Sequence, residues 1–461
     1  MNRNNRTAKQ KQIHFIGIGG IGMSALARYF FAKNWLVSGS DLQASQMTNK
    51  LKTEGIVVKI GHKRVNIHQG IDLVVYNRAI PLDNPELLMA KALKLTVLTY
   101  AEAIGEITKK YKTIAITGSH GKSTTTALTG LILAHAGLDP TVFVGTELKE
   151  FGERNLRIGK SRYLVLEADD FGRAFLAYSP SVALITNIDR EHFDTYKTLA
   201  IAKKAFLEFL ILTRNDGTFI LNKDDKNLFS LMVNITKVAK AKDIKIVWYS
   251  TLDPIASKIK KIIGIPGKHN LSNAIAAYYA GRAIAISESK ILASISRYRG
   301  ASRRMEYRGL FNGAKVYDDY AHHPTEIKAT LQAFREKYPI KKILCVFQPH
   351  QARRLQALFK AFRDAFVNTN ALILLDIYRV AGRDQKPNKK YNSKNLAIAI
   401  KKKYPKKQVL YLKNPKGLKS AISVFMSTPT FPRKSAFSRR ESAVLVMMGA
   451  GDIVNYTDQL L

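Results

Sequence analysis

Short apolar runs recur along the whole chain, each ending in a glycine or polar residue and followed by a stretch of helical periodicity. IHFIGIGGIG, residues 13–22, reads as a buried strand entering a glycine turn. MSALARYFFAKN behind it has the period of a helix, and WLVSGSD is a second strand closing on Asp41, which completes a βαβ unit. GIDLVVYN and LKLTVLTY carry the alternation on to about residue 110. The pattern restarts at KTIAITGSHGKSTTT, a strand, a glycine turn and a long helix from Ser123 to about Ala136. YLVLEADD, VALITNID and GTFILN follow as buried strands with polar ends. After a helix around residues 269–285 comes a third alternating region with the strands KVYDDYAHHP, KILCVFQPH, ALILLDIYRVAG and AVLVMMGAGD. The pattern predicts three α/β units in series, over residues 1–110, 111–300 and 301–461. Their polar strand ends are where parallel sheets bind ligands.

Composition fits this picture: 461 residues, 46% of them apolar and 24% charged, suffice for a core in each unit and exclude a mainly disordered chain. A single cysteine, Cys345, excludes an internal disulfide and a multi-cysteine zinc cluster. No run of 18 apolar residues occurs, and the opening MNRNNRTAKQKQ lacks the apolar stretch of a signal peptide. A cytoplasmic protein is expected, as a monomer or a homodimer.

Charge adds more. The 74 Lys and Arg outnumber the 35 Asp and Glu, for a net charge of +39. Between Lys386 and Arg440 stand 16 Lys or Arg and no acidic residue. That stretch has the electrostatics for weak association with an anionic surface. Aromatic residues that would stack on bases are thin there, and no obligatory nucleic-acid partner is expected. A lineage with lysine-rich proteins throughout would give the same overall balance.

Two motifs carry phosphate chemistry. Gly17, Gly19, Gly20 and Gly22 lack the side chains that would keep a helix N-terminus, with its free amides, away from a diphosphate. Asp41 falls near the spacing of a ribose or base contact. On its own this turn suggests a dinucleotide such as NAD. TGSHGKSTTT, residues 117–126, is stronger, although Ile116 stands where the general phosphate loop has a glycine. Gly118, Ser119, His120, Gly121, Lys122, Ser123 and Thr124 still combine a flexible turn, a cation for phosphates and a hydroxyl for magnesium at a helix start. Lys122 is expected to face solvent, so that its loss would leave the fold intact.

Glu167 ends YLVLE, and His192 follows VALITNID; together they could hold a divalent ion beside the phosphates. In GKHNLSNAIAA, His269, Asn270 and Asn273 open a helix, where Asn is also an ordinary N-cap. DDYAHHPTEI places His322 and His323 just before a helix-starting proline, an unusual packing motif because neither ring is buried cheaply without a partner. FQPHQARRL adds Arg353 and Arg354, able to grip a carboxylate or phosphate.

In this order, the blocks GIGGIGMSALA, TGSHGKSTTT, EADD, TNIDREHFDTY, GKHNLSNA, SRRMEYRG, DDYAHHPTEI, FQPHQARR and GAGDI resemble the Mur ligase family over nearly the whole chain. The resemblance implies an N-terminal Rossmann-like domain for a UDP-sugar, a central P-loop ATPase-like parallel sheet, and a C-terminal Rossmann-like domain that closes over the site. It implies ATP and Mg2+, with UDP-N-acetylmuramate and L-alanine as substrates joined through an acyl phosphate. Gly17 to Gly22 would then hold the UDP diphosphate and not NAD. Lys122 would meet ATP phosphate, Ser123, Glu167 and His192 the metal, and His269, Asn270 and Asn273 the adenine. Arg304 would approach phosphate, while Tyr320, His322, His323 and Arg354 would position the amino acid and the carboxylate. Tyr320 and Glu326 favour the branch that adds a single alanine over the sister enzyme that recycles murein tripeptide. Departures from the family pattern are Asn77 and Arg78 in place of two serines, Tyr100 in place of an arginine, and Asp170, Phe171 and Gly172 in place of Glu-Ser-Asp.

Overall fold

A computed structural model of the chain describes residues 10–191, 194–379, 388–427 and 443–461. The fold is α/β, with three sheets of mostly parallel strands. It divides into two compact units, Met1–Ser250 with Ala276–Ser294, and Thr251–Ile275 with Ile295–Leu461.

The first unit holds two sheets. In one, the strands Val57–Ile60, Leu36–Asp41, Gln12–Ile16, Leu73–Tyr76 and Thr96–Thr99 lie side by side in that order, all parallel. In the other, the order is Lys245–Tyr249, Thr218–Asn222, Val182–Ile185, Lys112–Thr117, Tyr163–Glu167, Thr141–Leu148 and Arg154–Arg157, antiparallel only at the last pair. Its central strand Val182–Ile185 is apolar throughout, as a strand covered on both faces by helices must be, and all four of its residues are buried. The helix Lys122–His135 packs so closely on Thr141–Leu148 that a Cβ on Gly130 would lie 2.9 Å from Val142 methyls.

The second unit carries the third sheet, in the order Glu306–Phe311, Ala314–Asp319, Ala443–Met448, Lys342–Phe347, Ala371–Leu375 and Gln408–Leu412. Ala443–Met448 is buried at all six positions, as a strand between two others under helices must be. Cys345 is buried as a free thiol in this sheet.

Among the described residues no helix is long and apolar enough to cross a membrane.

Candidate active site

In the first unit, each sheet offers a glycine turn at the C-terminal end of a central strand. After Gln12–Ile16, Gly17 adopts φ +83°. The amides of Gly17 and Ile18 donate to the Ser40 carbonyl at 2.8 and 3.0 Å. Asp41 Oδ2 accepts from the Gly19 amide at 2.8 Å, so this carboxylate shapes the turn itself. The helix Ile21–Ala32 starts at Gly20 without a side-chain cap, which leaves its first amides to bind an anion.

After Lys112–Thr117, Gly118 and Gly121 take φ +137° and +86°. The loop they bound is clamped to the chain leaving Val182–Ile185. The Ser119 and His120 amides donate to Asn187 O and Oδ1 at 3.1 and 2.8 Å. Thr186 Oγ1 and Asn187 Nδ2 return bonds to the His120 carbonyl at 2.6 and 2.9 Å. The Asp189 amide donates to Ser119 Oγ at 2.7 Å, and His120 Nε2 lies 3.0 Å from Asp189 Oδ2. Thr124 is buried in the first turn of the following helix.

Lys122 is not the solvent-facing residue that its loop position suggests. Its Nζ donates to Asp170 Oδ1 at 2.9 Å and to the carbonyls of Gly118 and Ser119 at 2.6 and 3.2 Å. The two side chains of this ion pair are only 13% and 2% exposed. Burial alone would lower the lysine's pKa; the carboxylates of Asp170, Asp169 and Glu191 outweigh it and hold the pKa above its ordinary value. The ammonium is therefore charged throughout the physiological range.

Ser123 and Glu167 are brought together: Ser123 Oγ donates to Glu167 Oε1 at 3.0 Å, and the Gly145 amide donates to Oε2 at 2.6 Å. A hydroxyl and a carboxylate are hard oxygen donors, a set that suits Mg2+. His192 lies outside the described residues.

The second unit collects a different set. His269, Asn270 and Asn273 lie within the helix Lys268–Ala283. The expected N-cap role for these asparagines does not hold: Asn270 Nδ2 donates back to the Pro266 carbonyl at 2.7 Å. Burial pushes the His269 imidazole down to about 4; Glu326 opposes the shift and Arg304 adds to it. Arg303 and Arg304 each place a guanidinium 5.1 Å from the Tyr320 ring centroid.

The adjacent histidines part company. His322 stands edge-on to Tyr320 at 5.3 Å and to His350 at 5.7 Å between centroids. His323 instead turns inward as the N-cap of Pro324–Lys337, accepting from the Thr325 amide at 3.3 Å in a capping box with Glu326. That resolves the apparent oddity of the pair, because the second ring has a local structural partner. Arg354, buried, approaches His350 Nδ1 at 3.2 Å, and His350 stacks on Tyr378 at 5.7 Å with 9° between planes. Sequence reasoning misses His350 and Tyr378. The position of His350 at the polar end of KILCVFQPH is the available signal; Tyr378 has none, since its stacking partner comes from a different strand.

A strand, a left-handed glycine, a half-buried lysine and a helix start, with a carboxylate beside the helix's first hydroxyl, define an α/β protein built to bind nucleotide phosphate. Comparison with known proteins narrows the class. Residues 12–112 match the model of the Mur ligase family, catalytic domain; residues 116–281 match the Mur ligase middle domain, and residues 303–451 the Mur ligase, glutamate ligase domain. The UDP-N-acetylmuramate--L-alanine ligase of Clostridium acetobutylicum is 36% identical over 98% of this chain and 97% of its own length. The protein of the same name from Clostridium kluyveri is 38% identical over 96% of each. The crystal structure of UDP-N-acetylmuramate-alanine ligase from Thermotoga maritima shares the fold at a TM-score of 0.76, with 24% identity over 97% of this chain and 98% of that one. A murein peptide ligase from Psychrobacter arcticus shares it at 0.65, with 20% identity over 98% of both. The chain belongs to the Mur ligase family.

Proposed function

We propose that the protein joins L-alanine to the lactyl carboxylate of UDP-N-acetylmuramate at the expense of ATP, in the cytoplasmic synthesis of peptidoglycan precursor. The curated relatives carry the substrate assignment, and the anchored Lys122 is the observation that carries the chemistry. A carboxylate does not acylate an amine at useful rates because oxide is a poor leaving group. Its oxygen attacks the γ-phosphorus, the bond to the ADP oxygen breaks, and an acyl phosphate results. The alanine nitrogen then attacks the acyl carbon, phosphate leaves, and the nitrogen loses a proton to give the amide.

ATP and UDP-N-acetylmuramate are both anionic and alanine adds a carboxylate, so the site's first task is to neutralise and align charge. In this reading Lys122 takes the β and γ phosphates from the position in which Asp170 holds it. Gly118, Ser119, His120, Gly121 and Thr124 give the loop its shape and its amides. Ser123 and Glu167, with His192, hold Mg2+, which when bound screens phosphate charge. Gly17, Gly19, Gly20 and Gly22 receive the UDP diphosphate, and Asp41 keeps their turn in shape. His269, Asn270 and Asn273 serve the adenine, and Arg304 a phosphate. His322 and Arg354, with Tyr320, serve the amino acid and the carboxylate, and His323 supports them as a helix cap. The corresponding domains are residues 1–110, 111–300 and 301–461. We also propose that the lysine-rich part of the last domain associates weakly with anionic surfaces.

The test is phosphate release by purified protein with ATP, Mg2+ and UDP-N-acetylmuramate. Release that depends on L-alanine is expected. Release driven by tripeptide and not by alanine would instead assign the recycling reaction.

A further inference from the structure

The strands Gln12–Ile16, Leu73–Tyr76 and Thr96–Thr99 are parallel neighbours, with Ile16 opposite Tyr76 and Tyr76 opposite Thr99. The residues that follow each strand therefore leave the sheet at the same edge. Asn77 and Ile80 pack on the glycine turn: a Cβ built on Gly17 would lie 3.3 Å from Ile80 Cδ1, and one on Gly20 would lie 3.4 Å from Asn77 Nδ2. Between them, Arg78 reaches away from the first sheet and donates through Nη1 to the Gly172 carbonyl. Gly172 lies two residues beyond Asp170, the partner of Lys122. Arg78 thus stands between the glycine turn and the lysine loop.

Its present partner is a poor match for its chemistry. A guanidinium carries a full charge and five N–H donors in a planar fork suited to phosphate oxygens. Arg78 is exposed, gives one donor to a neutral carbonyl, and makes no ion pair among the described residues. Among the described residues, the side chains packed nearest Gly19 and Gly22, those of Asp41, Thr48 and Tyr100, carry no positive charge. Tyr100, the first residue after Thr96–Thr99, fills the space at Gly22, where a Cβ would lie 2.9 Å from its hydroxyl. That hydroxyl has its pKa raised by burial and then by the carboxylates of Asp169 and Glu167, so the tyrosine stays neutral. A diphosphate at this turn would meet helix amides and a neutral phenol, and Arg78, next to Asn77 on the turn, is the guanidinium that can supply a counter-ion.

We propose that Arg78 is a specificity-determining residue for the UDP-sugar: it exchanges the Gly172 carbonyl for the diphosphate and grips it with paired N–H donors. The proposal rests on the reading of the glycine turn as the diphosphate site.

Calorimetric titration of wild type, Arg78→Ser and Arg78→Lys with UDP, with UDP-N-acetylmuramate and with ATP tests it. Arg78→Ser should weaken both uridine ligands at least tenfold and flatten their salt dependence, while ATP affinity and the thermal midpoint stay at wild-type values. Arg78→Lys, which keeps the charge and loses the fork, should fall between. Unchanged uridine-ligand affinity in Arg78→Ser overturns the proposal. So does a parallel loss of ATP affinity and thermal midpoint, which would mark Arg78 as a mere tie to Gly172. A wild type that binds UDP but not UDP-N-acetylmuramate would overturn the ligase reading and leave the diphosphate contact supported; a wild type that binds neither overturns both.

Discussion

Lys122 is an ion-pair partner as well as a phosphate ligand, and the two roles can be separated. Asp170 is 1% exposed and loses the Lys122 ammonium in Lys122→Ala. Breaking one side of a buried pair costs about 3 kcal/mol, so this variant should lose turnover by at least about a thousandfold and also unfold at a lower temperature. The double variant Lys122→Ala with Asp170→Asn should regain most of the stability and none of the turnover, as thermal melts and phosphate release would show. If the double variant recovers activity, Lys122 is not the phosphate ligand. His269 gives a pH-dependent counterpart. Its folded pKa of about 4 lies below the ordinary value of 6.5, so the stability tied to its neutral ring is fully present above about pH 6.5. It is lost as pH falls toward 4, where the unfolded chain takes a proton that the folded chain refuses. At about 1.4 kcal/mol for each pH step between those two values, the loss approaches about 3 kcal/mol. Melts from pH 7 to 4 should show that slope, and His269→Gln should remove this share of it.

The clamped loop is the element on which the site depends, and Gly118 is its least replaceable member. At φ +137°, a Cβ there would stand 2.1 Å from Thr186 Oγ1 and 3.0 Å from the Asn187 amide nitrogen. Gly118→Ala should therefore cost on the order of 2 kcal/mol or more, and ATP affinity should fall more than tenfold because the loop must leave Thr186 and Asn187. Wild-type ATP titration by this variant would show that the clamp does not set the loop's shape. Elements of this kind were legible in the sequence where chemistry and periodicity coincide. KTIAIT and VALI read as buried strands because both faces are covered, and the glycines read as a turn because they precede a helix. Edge strands were less legible. Arg154–Arg157 and Glu306–Phe311 are short, carry charged residues and pair on one side, so no apolar run announces them. Ser123 and Glu167, expected at one metal site, do meet, but other contacts made through space were not legible: nothing in spacing tells that Asn187 would hold the loop, that His323 would cap a helix while His322 meets His350, or that Asp170 would reach Lys122.

At the scale of the whole molecule, the net charge of +39 describes association and solubility more than fold. Its distribution decides whether it is merely a compositional drift. With 74 Lys and Arg in 461 residues, a stretch of 40 residues averages about six; residues 388–427 contain eleven lysines and no Asp or Glu. Lys386, Arg433, Lys434, Arg439 and Arg440 of the same basic stretch lie outside the described residues. Much of the described part forms one border of the third sheet: the edge strand Gln408–Leu412 and the helix Ser393–Lys403. Lys401, Lys402, Lys406 and Lys413 are exposed, whereas Lys403 is partly neutralised by Asp364 at 2.6 Å. Each exposed lysine near an anionic membrane contributes about 1 kcal/mol. The protein should therefore sediment with vesicles containing about one-third phosphatidylglycerol at low salt, and be released as screening lengths shorten toward about 5 Å. Replacing those four lysines with glutamine should cut retention by about two orders of magnitude or more while leaving alanine-dependent phosphate release unchanged. Equal binding to neutral vesicles, or binding indifferent to salt, would leave drift in composition as the better account of the charge. Salt-sensitive capture by RNA in preference to the vesicles would keep the basic edge as a contact surface and reassign its partner.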